Sequence, residues 1–212
     1  PFLLFGKMGR QTLVPGDALA YVNVSIDPNR PAVKRALHLA GRFPTYPVIS
    51  AAVQTRLDGL AGGSGSPSFA TDIRPWLGNE AALALLNTPS STAGSLIVLD
   101  VRDHARARSF LAQAGATPAA TYRGTELLRY PSGTELAFVG RYLVLGQDAS
   151  VRSALDVKAG ARASLQGTAA YQRAAAGEPA DRVLDAYVSA SGVQRVLAAQ
   201  RGLIGAIGAL LY

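Results

Sequence analysis

Along residues 18–26, apolar side chains take the even positions, Ala20, Val22, Val24 and Ile26, with Tyr21, Asn23 and Ser25 between them. A period of two is that of a half-buried strand, and it assigns the even-numbered face to the core. Asp27-Pro28-Asn29 then ends the strand and opens a helix, with Asp27 as N-cap and Pro28 at the first helical position. Val33, Ala36, Leu37 and Ala40 recur at helical spacing, and so do Ile49, Ala52, Val53, Leu57 and Leu60 in a second helix from Val48. Ala61 to Pro67, rich in Gly and Ser, reads as a surface loop.

Asp72-Ile73-Arg74-Pro75-Trp76-Leu77-Gly78 is the most distinctive stretch and holds the only Trp. Its residues predict a tight structural corner. Asp72 caps the turn, and Pro75 fixes its own φ and holds Arg74 extended. Trp76 anchors the corner in apolar surroundings, and Gly78 supplies a positive φ at the exit. Arg74 is then available to a strand carboxylate such as Asp100, with Arg102 as the other possible partner.

Beyond the corner, Glu80–Leu86 and Ser95–Val101 read as two apolar strands joined by a hairpin-like loop. Asp103 caps a helix over 104–114 with Ala107, Phe110, Leu111 and Ala114 facing inward. Three strands follow, over 120–130, 135–139 and 142–145, with Gly140-Arg141 as a two-residue turn between the last two. Asp148 caps a helix with Val151, Ala154 and Leu155 inward, and a shorter helix follows Thr168. Pro179-Ala180-Asp181 leads into a strand over 183–188, echoing Pro15-Gly16-Asp17 before Ala20-Tyr21-Val22. A final helix spans 193–211, where Gly202, Gly205 and Gly208 lie among Leu203 and Ile207 as a close-packing interaction patch.

Hairpins outnumber crossovers, which predicts an α+β fold with a mostly antiparallel sheet and helices packed on one face. The echo at Pro179 suggests half of a duplicated arrangement. Residues 1–14 read as a leader, the cut end of an upstream segment. Residues 15–190 form the α+β domain, and 191–212 are a C-terminal apolar helix leading towards a second half.

Composition narrows the chemistry. The net charge is +7, but no basic run exceeds two residues, so the footprint of a nucleic-acid binder is missing. The absence of cysteine excludes disulfides, thiol catalysis and Cys-ligated metals. His38 and His104 have no metal-ligand spacing, and no serine sits in a nucleophile elbow. No catalytic, cofactor or metal residues are therefore assigned. A cluster of Asp100, Arg74 and His104 in one cleft would point instead to an enzyme.

Pro15-Gly16-Asp17-Ala18-Leu19-Ala20-Tyr21-Val22, the corner at 72–78, Val101-Arg102-Asp103, Tyr122-Arg123-Gly124-Thr125 and Gly140-Arg141-Tyr142-Leu143-Val144 recur in this order. Together they resemble a bacterial envelope family known only as a domain of unknown function. The resemblance implies an extracytoplasmic domain of a membrane-anchored protein, its anchor lying outside this chain, with no catalytic residues to carry over. The expectation is a non-catalytic domain that binds an apolar or lipid-like ligand, or another envelope component. The alternative is an interaction module docking on a second copy or a missing half.

Overall fold

The computed structural model describes residues 12–25, 27, 29–31, 34, 69–87, 94–177 and 183–195. Its elements are β1 (Ala20–Ser25), β2 (Leu77–Leu86), β3 (Gly94–Val101), α1 (His104–Gln113), β4 (Thr117–Tyr122), β5 (Thr125–Arg129), β6 (Glu135–Val139), β7 (Tyr142–Gly146), α2 (Asp148–Lys158), α3 (Ala169–Ala175) and β8 (Leu184–Val188). The strands form one antiparallel sheet in the order β4-β5-β6-β7-β3-β2-β1-β8, so the α+β class is as expected. Of the helix expected after Asp27 only the start is described, where Asp27 Oδ1 accepts from Asn29 N at 2.9 Å and Lys34 N bonds Arg30 O at 3.0 Å; the helix expected over 48–60, and nearly all of the one over 193–211, lie outside the described residues.

The single strand expected over 120–130 is two strands. Arg123 (φ 50°) and Gly124 (φ 71°) are both left-handed, the pairing that a tight two-residue hairpin turn requires. The turn is pinned to α2. Tyr122 Oη and Arg123 Nε both donate to Asp156 Oδ1, at 2.9 and 2.6 Å. Burial pushes the Asp156 carboxyl up, but the bonds from Arg123 and Tyr122 outweigh it and hold its pKa below the ordinary value. Asp103 caps α1 as expected, accepting from Arg106 N at 3.0 Å. Asp148 does not cap α2. It is the first helical residue, where it bonds Arg152 Nε at 2.7 Å, and Gln147 holds the cap position with its side chain turned to Ser95.

The sheet separates two cores. On one face Leu96 and Val98 of β3, Ala137 and Val139 of β6 and Val144 of β7 pack against Val151, Ala154 and Leu155 of α2. On the other, Leu136, Leu143 and Leu145 pack with Ala107 and Leu111 of α1 and with Trp76. The expectation of helices on one face therefore holds for α2 and α3, whose Tyr171 joins the same core; α1 lies opposite, because the alternation in β6 and β7 leaves both faces apolar there. Leu13 and Val14 belong to the α2-side core, and Leu165 N bonds Val14 O at 2.7 Å.

β1 reverses the expectation drawn from its pattern. Its odd positions face the core, with Tyr21 and Ser25 buried, and Tyr21 meets Tyr171 of α3 edge to face. The even positions Ala20, Val22 and Val24 lie on the opposite face and are only partly covered. The echoed tripeptides are adjacent strands of one sheet, with Tyr21 directly opposite Tyr187. No second half is visible among the described residues.

The two faces predict opposite costs for the same truncation. Leu96→Ala, at a fully buried site, is expected to lose about 2–5 kcal/mol. Leu83→Ala, at a site 42% exposed, should lose under about 1 kcal/mol. Urea denaturation of both variants checks this, and equal losses would show that both faces are buried. A second expectation concerns alkali. Burial raises Tyr130 from its model-compound value of 10.0 to about 12. Its contribution is therefore complete below the unfolded pKa near 10 and lost as the pH rises through about 12. Tyr130→Phe should flatten that alkaline fall in a pH-dependent unfolding series.

Candidate functional site

The corner at 72–78 is a clamp on the β3–α1 junction. β2 bulges between Leu77 and Ala81, so that Gly78, Asn79 and Glu80 stand opposite Asp100 alone. Asp100 is 2% exposed and fills that bulge. Arg141 holds it with two bonds, Nε to Oδ1 at 2.7 Å and Nη2 to Oδ2 at 2.6 Å, and Asn79 N adds a third at 3.1 Å. These bonds compensate a buried carboxylate that would otherwise be costly.

Gly78 is required for a different reason from the one its sequence context implied. Its φ is not positive. A Cβ there would collide with the Asp100 carboxyl. Arg74 does not bond Asp100 but donates to Leu77 O and Gly78 O, both at 3.3 Å. Arg102 does not pair with Asp100 either; it reaches Pro75 O (3.0 Å) and Arg74 O (3.1 Å), and its own N–H bonds Trp76 O at 3.0 Å. Trp76 is buried against Phe110 of α1, ring centroids 5.6 Å apart. Asp72 is exposed at the end of the π-helical turn Phe69–Ile73. The corner thus seats α1 over β5, β6, β7 and β3.

Beyond α1, among the described residues, the same face is exposed or only partly covered. Cross-strand register aligns Leu145, Ile97, Leu83, Val22 and Ala186 in one row. A second row runs Leu143, Leu99, Ala81, Val24 and Leu184, and a third Ser95, Leu85, Ala20 and Val188. The β2 and β8 members are the most exposed, with Leu83 at 42%, Leu85 at 40%, Leu184 at 58% and Val188 at 54%. An aligned apolar surface over three strands exceeds the scattered exposure that needs no explanation. Sequence reading missed it because its alternation is that of a core face.

Where the open face meets β7 there is a cavity of about 280 Å³. Ile97 and Leu145 line it together with Ser95, Ser132, Thr134 and Gln147. Gln147 Oε1 accepts from Ser95 N (2.7 Å) and Ser95 Oγ (3.2 Å), which holds the β3 end against the start of α2.

Asp100, Arg74 and His104 make no hydrogen bond or ion pair with one another. Asp100 lies on the α2 side of β3, whereas His104 sits on the α1 side, 5.3 Å from the Phe138 ring. Among the described residues no three His, Asp or Glu side chains gather as metal ligands, and no helix is long and apolar enough to cross a membrane. Gly202, Leu203, Gly205, Ile207 and Gly208 lie outside the described residues.

The model of the family described as "Protein of unknown function (DUF3352)" matches residues 6–205. Among solved structures, crystal form I of TP0453 is 9% identical with a TM-score of 0.48, covering 87% of this chain and 64% of that one. Crystal form III is 10% identical with a TM-score of 0.47, covering 86% and 64%. The chain thus spans about two thirds of the length of these structures, and at such scores the likeness says nothing about function. No curated protein matches the chain.

The clamp predicts that Trp76→Ala costs about 3–5 kcal/mol, as expected for a buried aromatic ring. Gly78→Ala should destabilise as well, by about 1–3 kcal/mol, because Asp100 must leave its bonds to make room. Chemical denaturation measures both. A loss under about 1 kcal/mol for Trp76→Ala would remove the ring from its assigned place.

Proposed function

The chain belongs to the DUF3352 family of proteins of unknown function, and we propose that it is a non-catalytic binding domain that takes an apolar, lipid-like ligand on the open face of β2, β1 and β8. The observation that carries this is the inverted alternation of the last two strands. β1 turns Tyr21 towards Tyr171 of α3, with Asn23 and Ser25 on the same face, and leaves Ala20, Val22 and Val24 outward. β8 does the same, with Asp185 and Tyr187 inward and Leu184, Ala186 and Val188 outward. Keeping apolar side chains towards water is unfavourable by about 25 cal/mol per Å², so such a face is expected to be covered in use. An extracytoplasmic, membrane-anchored setting is part of the proposal. It rests on the envelope proteins that the strand and corner motifs resemble.

A second reading, an interaction module that docks on another copy or half, is favoured by the sheet edges. β4, at one edge, carries Pro118 and a bulge, both of which discourage strand addition. β8, at the other, has neither.

Titration with the fluorescent apolar dye N-phenylnaphthylamine separates the readings. A saturable signal is expected, and Leu83→Asp should weaken it about tenfold with little change in Tm. A dye signal unaffected by Leu83→Asp would contradict ligand binding on this face. Absence of dye binding together with a dimer in light scattering would replace the first reading with the second.

A further inference from the structure

We infer that the ligand is an amphiphile with an uncharged, hydroxyl-bearing head, the head seated in the cavity at β3 and β7 and the chain lying across the open face. This inference rests on the binding function proposed above and adds the class of ligand. Ile97 and Leu145 are the large apolar residues of the cavity lining, and they begin the row that continues through Leu83, Val22 and Ala186. Strands about 4.8 Å apart make that row, across five strands, on the order of 19 Å long. A row of that length matches one extended alkyl chain lying on the sheet.

The rim decides the head. Ser132 Oγ donates to Thr134 Oγ1 (3.3 Å) and Ser95 Oγ to Gln147 Oε1 (3.2 Å), so a head would meet the serine lone pairs, the Thr134 O–H and the Gln147 amide N–H groups. Among the described residues no Lys, Arg, Asp or Glu lines the cavity. The charged residues closest in the chain are engaged elsewhere, Asp148 by Arg152 and Arg129 by Glu135. A phosphate or carboxylate head would lose water there without gaining a counter-charge. A polyol or sugar head exchanges its water bonds for the rim hydroxyls and amide. The preference is the opposite of what the net charge of +7 alone would produce, since that charge attracts anions.

Calorimetric titration of the full chain with dodecyl glucoside and dodecyl phosphate, each below its micelle concentration, tests the assignment. The glucoside is expected to bind about tenfold more tightly. Ser132→Lys, at an exposed turn position, should narrow or reverse that ratio. Equal or tighter binding of the phosphate would overturn the neutral head and leave the apolar face standing. A ratio unchanged in Ser132→Lys would move the head out of this cavity. Binding of neither compound would remove both the head assignment and the ligand reading beneath it.

Discussion

The buried Asp100 carboxylate is the constraint on which the rest of the molecule depends. A charge at 2% exposure is tolerable only with its bonds complete, and three bonds from Arg141 and Asn79 complete them, with Gly78 making the room. Each partner fixes a piece of structure. Arg141 must sit in the β6–β7 turn, Asn79 must present its N–H from a bulge, and Gly78 must have no side chain. The bulge ends regular pairing of β2 with β3 and turns the chain back into the 72–78 corner. The corner in turn receives Arg102 and Trp76, and Trp76 locates α1 through Phe110.

The position of α1 divides the second face of the sheet. Over β6 and β7, Leu136, Leu143 and Leu145 are covered, and Phe138 is held between His104 and Arg108. Over β2, β1 and β8 the equivalent residues remain open. The other face has no such division. Small residues at Ala82, Ala84, Ala137 and Ala154 let the chain pack closely there, and the Tyr21–Tyr171–Tyr187 cluster continues that core to the edge strand. Among the described residues, one apolar layer is thus closed and the other is covered only in part. That asymmetry is the physical basis of the proposed binding face.

Much of this was legible in the residues, and the failures have particular causes. The corner was recognisable as structural, because Pro, Trp and Gly in that spacing have few other uses. The Asp103 cap and the Gly140-Arg141 turn followed from local chemistry. The partner of Asp100 did not, since Arg141 is 41 residues away and nothing local separates it from Arg74 or Arg102. The Arg123–Gly124 turn was hidden because apolar and β-prone residues run through it on both sides. The open face was read backwards. Periodicity shows that a strand has two unlike faces, but only the packing of α3 shows which one is the core. The five Gly202–Gly208 positions rest on helical spacing alone and lie outside the described residues.

The chain contains no cysteine, so single-cysteine variants report on one position each. Maleimide labelling of Leu83→Cys compared with Leu143→Cys measures directly whether the second face is half open. Rapid labelling at 83 and strong protection at 143 is the predicted result. Protection at 83 equal to that at 143 would contradict the division of the face by α1, and with it the account of where this protein binds.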